Sequence, residues 1–288
     1  MLFVTQFEEL WFNAIESLMD LRKAGFNHFV FLHVIKREEV ALRRGVGYLK
    51  EEEVKLREMA NVRFIDWAES LYEQGMEVGA YVSIGDPVNK IVDTAKEEDV
   101  HLIVTGRHRK TKLLELLACP EAIGVVRRAP VPVLVYKYML PSGKINDKPF
   151  ERPLFATDFS SASDRAISYL LQIKNVIGKL EIIHVVSETQ LKDTSTLSVQ
   201  RVRKEYRKKL ERIRNMFMDA GLQADSHLYV GNLEEQVQKA TEERGASMVV
   251  VGKTSKKTVK EDLLGSLPKK LVEESLLPVL LIPSEVDD

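Results

Sequence analysis

Apolar positions along this chain fall into two alternating rhythms. Short, nearly continuous apolar runs read as buried strands, and longer segments with apolar residues every three or four positions read as one-sided helices. Leu2–Thr5 begins the series as a strand. Residues Glu8–Ala24 follow as a helix, with Leu10, Trp11, Ala14, Ile15, Leu18 and Leu21 on one face and Gly25 closing it. His28–Ile35 is a strand, and Lys36–Tyr48 a charged, glycine-punctuated loop. A helix over Glu51–Gln74 carries Leu56, Ala60, Phe64, Trp67 and Leu71 on one side. Strand Met76–Ile84, helix Val88–Glu98, strand Leu102–Thr105, a helical segment Leu113–Arg128 and strand Val131–Tyr136 complete the pattern. Apolar strands alternating with helices predict a parallel sheet covered on both faces.

The order then starts again. Met139–Arg152, with two prolines and mixed charge, reads as a linker. Thr5-Gln6-Phe7 matches Thr157-Asp158-Phe159 at an offset of 152, and Phe31–Val34 matches Ile182–Val185 at 151. Gly85, Gly106 and Pro132–Leu134 match Gly231, Gly252 and Pro278–Leu280 at 146. The expected organisation is two tandem doubly wound five-stranded α/β domains, 1–138 and 153–288, joined by 139–152. The second copy supplies a helix over Val199–Ala220, strand Ala224–Val230, helix Leu233–Arg244, and strands Met248–Val251 and Val279–Ile282.

Composition narrows the function. The chain of 288 residues is 44% apolar and 30% charged with a net charge of −1, so no global field draws it to nucleic acid or an anionic membrane. The amino terminus lacks the basic flank of a signal peptide, and no apolar run is long enough to span a bilayer. The single cysteine, Cys119, excludes an internal disulfide, and a cytoplasmic location is expected. None of the six histidines stands in a recognised metal-ligand spacing. His33 and His184 share one strand position in the two copies, which favours packing. The basic run from Arg201 to Lys209 reads as a solvated face.

Candidate chemistry gathers at Met248–Ser266. The apolar run ends on Gly252, Ser255 follows three residues later, and Gly265-Ser266 precede a short helix. A glycine lets backbone approach a ligand, and a helix start offers free N–H groups to an anion. Gly252-Lys253-Thr254 imitates the end of a Walker loop, but the position required for its first glycine is Ser247 and a strand lies between, so that reading is rejected.

Gly252-x2-Ser255-x9-Gly265-Ser266, together with Ala156-Thr157-Asp158-Phe159-Ser160 and Ile183-His184-Val185-Val186, resembles the universal stress protein family. The resemblance spans essentially the whole chain twice. It implies an adenine-nucleotide site in the second copy for ATP, ADP or AMP. Ala156, Thr157 and Asp158 would lie at the base and ribose, and Val185 would meet adenine through main chain. Val251, Gly252, Lys253, Ser255, Gly265, Ser266 and Leu267 would surround ribose and phosphates. Whether magnesium accompanies the phosphates as counter-ion stays open. Ser255 replaces a glycine of the family motif, and Pro268 stands where the family often has another residue.

The first copy carries Gln6, Arg109 and Cys119-Pro120 at the corresponding places, so one working site is expected. The resemblance also implies that the two domains pair internally through Val131–Tyr136 and Val279–Ile282; a homodimer and an unidentified protein partner remain open. A nucleotide-binding stress-response or signalling protein is the preferred reading. A slow ATPase or nucleotidyl-transfer enzyme, and a nucleotide-independent interaction module, are the alternatives.

Overall fold

A computed structural model describes residues 1–7, 11–41, 47–106, 120–138, 145–188, 196–253, 255–258 and 261–283. The described residues divide into two compact units, with the boundary between Val135 and Tyr136, at the last residue of the first unit's final strand.

The first unit contains strands β1 (Leu2–Val4), β2 (His28–Ile35), β3 (Glu77–Ile84), β4 (Ile103–Gly106) and β5 (Val133–Tyr136), and helices α1 (Trp11–Glu16), α2 (Lys50–Glu73), α3 (Pro87–Glu97) and α4 (Pro120–Arg128). Its strands lie in the order β3-β2-β1-β4-β5. The pairs β1–β2, β1–β4 and β2–β3 are parallel. Phe3, Phe29, Phe31, Val30 and Leu32 are fully buried, as expected of strands covered on both faces.

The second unit repeats the plan with β6 (Pro153–Ala156), β7 (Leu180–Val186), β8 (Ala224–Val230), β9 (Met248–Lys253), β10 (Ser255–Thr258), β11 (Glu261–Leu264) and β12 (Val279–Pro283), and with α5 (Ser161–Gln172), α6 (Thr196–Asp219), α7 (Leu233–Arg244) and α8 (Ser266–Glu274). The sheet order is β12-β9-β6-β7-β8, all parallel, while β10 and β11 form a separate antiparallel pair. In both units the first strand is central, and the chain leaves it to one side and then the other. The carboxyl end of that strand is the topological switch point where ligands of such sheets bind.

The alternation anticipated from sequence is present, with local differences. The helix expected over Glu8–Ala24 is broken. α1 ends at Glu16, where the Ser17 hydroxyl donates to the Ala14 carbonyl at 2.6 Å and competes with the helical ladder. The chain resumes as a 3-10 turn, Met19–Ala24, whose three-residue repeat suits the fully buried Leu18 and Leu21. Only Pro120–Arg128 of the expected helix Leu113–Arg128 falls within the described residues. Within the expected linker, residues 145–152 run against the second unit. Asn146 is buried and donates from Nδ2 to the Ser247 carbonyl at 2.9 Å, and the Phe150 carbonyl accepts the Gly178 N–H.

Gly85 and Gly231, matched by sequence, hold φ of 149° and 139° at the ends of β3 and β8, a region that favours glycine. Each hands the chain to a helix cap. Asp86 accepts from the Asn89 N–H at 2.9 Å, and Asn232 accepts from the Glu235 N–H at 3.1 Å.

A second repeated device stands at the switch point. Phe7 and Phe159 take positive φ, 57° and 60°, which is rare for a bulky residue. In each case the Phe N–H donates to a threonine Oγ1 two residues earlier, Thr5 at 3.0 Å or Thr157 at 3.1 Å. The imidazole Nδ1 of His33 or His184 bonds that threonine's carbonyl, at 3.0 and 2.8 Å, and the ring packs on the phenylalanine. The packing role expected of the two histidines is thus what the structure shows. Burial lowers both imidazole pKa values from 6.5, against the raising effect of the carbonyl bonds. The folded state therefore favours the neutral ring. The unfolded chain binds more protons below about 6.5, and stability is lost as pH falls from that value through the lowered folded pKa. The melting temperature should drop between pH 7.5 and 5.5, and replacing both histidines by asparagine should flatten that slope; a slope unchanged by the double substitution would remove the histidines as its cause.

Candidate functional site

The carboxyl end of β6 is bounded by longer neighbours. β6 pairs with β7 up to Ala156–Ile183 and with β9 up to Ala156–Val251, while β7 runs on to Val186 and β9 to Lys253. Main-chain groups along a strand point alternately to its two neighbours. On β7, the Ile183 carbonyl accepts the Thr157 N–H from the β6 side, and the Val186 carbonyl accepts the Gly231 N–H from the β8 side. Val185 therefore turns its N–H and C=O toward β6, beyond the point where β6 has left the sheet. On β9, the Val249 N–H donates to the Pro278 carbonyl on the β12 side, so Gly252 turns its main chain toward β6. The Gly252 N–H closes the last β6–β9 rung on the Ala156 carbonyl, so Val185 opens its N–H and C=O, and Gly252 its C=O, into one notch from opposite sides.

Asp158 stands at that notch on the turn between β6 and α5. Its Oδ1 accepts from the Ser160 N–H at 3.0 Å, the Ser160 hydroxyl at 2.5 Å and the Ser163 hydroxyl at 2.7 Å. Burial pushes its pKa up, but these bonds outweigh burial and hold the carboxyl below its usual 3.8. Ser160, not Asp158, is the residue that caps α5. Among the described residues no group donates to Oδ2, and the side chain is exposed. One oxygen is thus committed to the turn, and no described group donates to the other.

Other anticipated site residues have internal work. The N–H, carbonyl and hydroxyl of Thr157 all bond within the protein, to Ile183, His184 and Phe159, so Thr157 positions its neighbour Asp158. Gly252 passes the first turn of α5 so closely that a Cβ would lie 2.6 Å from the Ala162 carbonyl carbon and 2.9 Å from the Ser163 nitrogen. The approach its missing side chain permits is to protein backbone. Val251 and Lys253 are buried, and Ala156 is half-buried.

The stretch between Gly252 and Gly265, anticipated as a loop, carries the β10–β11 hairpin. Ser255 pairs with Leu264, two residues before α8, which brings Ser255 beside the start of that helix. Ser255 lies in an extended strand, a conformation that does not require glycine. α8 begins at Ser266 after Gly265, with no side chain capping it. Pro268 has no N–H, and the Lys269 N–H bonds the Gly265 carbonyl. The amides of Gly265, Ser266 and Leu267 form the entry to the helix, where the dipole favours an anion. Glu234, from the first turn of α7, accepts the Ser266 hydroxyl at 3.3 Å.

The sequence reading missed the aromatic wall beside Asp158. Tyr206 of α6 stacks on Phe159 with centroids 5.8 Å apart and meets His184 at 4.4 Å, and the Lys209 ammonium lies 5.7 Å above the Phe159 ring. In the sequence Tyr206 recurs at helical spacing with Val202, Leu210 and Ile213, which marks only a one-sided helix face. A cross-strand cluster was missed as well. Glu181 on β7 and Asp225 and His227 on β8 bring potential metal-ligand atoms within 4.8 Å of one another. The Lys179 ammonium already bridges buried Glu181 and Asp225 at 3.3 and 2.6 Å, supplying the positive charge there. In the first unit, Thr5, Phe7 and His33 rebuild the turn, but Gln6 replaces the carboxylate. Arg109 and Cys119 lie outside the described residues.

Two doubly wound units in tandem, each with its switch point at the end of a short central strand, define an α/β protein of the Rossmann-like, adenine-nucleotide alpha-hydrolase-like fold class. The family model for the Universal stress protein family matches residues 2–137 and again 149–283, and the chain belongs to that family. Universal stress protein MJ0577 of Methanocaldococcus jannaschii is 24% identical over 153 residues, covering 46% of this chain and 94% of that protein. Universal stress protein YxiE of Bacillus subtilis is 27% identical over 146 residues, covering 46% and 99%. A crystal structure of a universal stress protein from Archaeoglobus fulgidus shares the fold, with a TM-score of 0.74, 23% identity, and coverage of 100% of this chain and 97% of that one. Among the described residues no helix is long and apolar enough to cross a membrane.

Proposed function

We propose that the second unit holds one adenine nucleotide and that the protein acts as a nucleotide-responsive stress or signalling protein. The observation that carries this reading is the notch beyond β6, where the open N–H and C=O of Val185 and the open C=O of Gly252 stand next to Asp158. A carbonyl acceptor and an N–H donor on one strand residue match the adjacent donor and acceptor of an adenine edge. The second oxygen of Asp158 suits a ribose hydroxyl or a base amino group. The amides of Gly265, Ser266 and Leu267 suit phosphate. Glu234 beside Ser266 adds negative charge at the same place, which a magnesium ion carried on the phosphates would offset.

The test is thermal. At a hundredfold excess over Kd, a nucleotide stabilises its binding partner by about 2.7 kcal/mol. ATP, ADP or AMP should therefore raise the melting temperature. Asp158→Asn, which keeps an oxygen for Ser160 and Ser163 but removes the charge, should lose most of the rise while melting near wild type without nucleotide. Melting curves indifferent to all three nucleotides would favour the interaction-module reading instead. Phosphate released over many turnovers would move the chain to the enzyme class.

A further inference from the structure

Helix α2 carries apolar residues on the side away from its own sheet. Its inner face is Ala60, Phe64 and Leu71, buried against β2 and β3. On its other side Val54, Met59, Val62, Ile65 and Tyr72 are 44%, 53%, 61%, 56% and 76% exposed. At 3.6 residues per turn, Val54, Ile65 and Tyr72 align along one line, with Val62 about 80° and Met59 about 140° round the helix from it. Exposed Glu58, Asp66 and Glu69 are interleaved with them. The helix holds seven acidic and four basic residues, a net charge of −3. Solvent-facing helix surface is ordinarily polar, and five exposed large apolar side chains interleaved with acids over the outward half of one helix suit a mixed apolar and charged contact surface.

The helix that follows the second strand of the other unit, α6, is the complement. It has the same length, 24 residues, but eight basic and three acidic residues, a net charge of +5. Leu210, Ile213 and Phe217 face its sheet. Arg201, Lys204, Lys208 and Arg212 recur at steps of three and four along the exposed side, and Met216 and Met218 near its end are 50% and 48% exposed. Each helix spans about 36 Å at 1.5 Å per residue.

We infer that α2 of one copy of this chain docks along α6 of a second copy. The occupant is a second copy because the chain itself carries a helix of matching length, opposite charge and exposed methionines. The exposed apolar side chains supply burial, and the acidic and basic residues supply register and steering. The contact joins two different patches and is therefore heterologous.

Sedimentation velocity on the full chain tests this. At low salt the wild-type protein should associate beyond one chain in a concentration-dependent way, and added salt should reduce that association as the charges are screened. The set Lys204→Glu, Lys208→Glu, Arg212→Glu should leave a monomer, and so should the set Glu58→Lys, Asp66→Lys, Glu69→Lys. Mixing the two reversed proteins, or combining both sets in one chain, should restore association. A wild-type monomer at low salt would overturn the inference, as would association that survives either reversed set or fails to return on mixing. The salt titration uses unsubstituted protein, so it stands even where a triple substitution impairs folding.

Discussion

Replacing Gly265 by proline is expected to weaken nucleotide binding by one to two orders of magnitude while leaving the second unit folded. Gly265 holds φ −57°, within the range that proline's ring fixes, and Leu264 before it lies in a strand, the conformation favoured before proline. The substitution therefore removes one N–H and little else. A hydrogen bond to a charged group contributes about 1.5–3 kcal/mol, which corresponds to roughly 10- to 150-fold in affinity. The corresponding substitution in the first copy, Cys119→Pro, should leave affinity unchanged. Calorimetric titration of both variants checks this, and equal losses would place the working site in the wrong unit. Comparing ATP with AMP adds detail. An anion site at α8 predicts that the variant loses more affinity for the nucleotide whose phosphates reach Gly265.

Gly252→Ala is expected to produce the larger structural effect. The new Cβ would sit 2.6 Å from the Ala162 carbonyl carbon, 2.7 Å from its oxygen and 2.9 Å from the Ser163 nitrogen. These are main-chain atoms in the first turn of α5, so no rotamer change relieves the contact. Either β9 or α5 has to shift, and overpacking of this kind costs about 1–3 kcal/mol. The urea midpoint should fall, and in a unit of this size the melting temperature should fall by about 2–4 °C per kcal/mol. Nucleotide affinity should fall with it, because α5 and β9 both border the notch. A variant of wild-type stability that had lost binding would show instead that the glycine is there for the ligand.

The strands and most helices were legible because both layers bury one-sided or continuous apolar patterns. The repeat reinforced this, since a residue kept in both copies after the nucleotide motif has diverged points to packing. His33 and His184 are the clearest case. The break after α1 was hidden because it depends on the Ser17 hydroxyl bonding back to Ala14 rather than on any change in apolar spacing. The β10–β11 hairpin was hidden for a related reason: its charged sequence has no apolar alternation to mark a strand. The candidate site residues stood out as a set, but the structural tasks of single members did not. Thr157 and Gly252 owe their roles to groups distant in sequence, the His184 ring and the Ala162 backbone. Glu181, Asp225 and His227 meet only through the parallel register of β7 and β8, which no linear spacing reveals.

Isothermal titration of the intact chain with ATP, ADP and AMP tests the central claim most directly, because it counts sites as well as detecting them. The expected result is saturable heat for at least one of the three with a stoichiometry near one nucleotide per chain. No heat from any of them, or a stoichiometry near two, would contradict a single adenine-nucleotide site in the second unit.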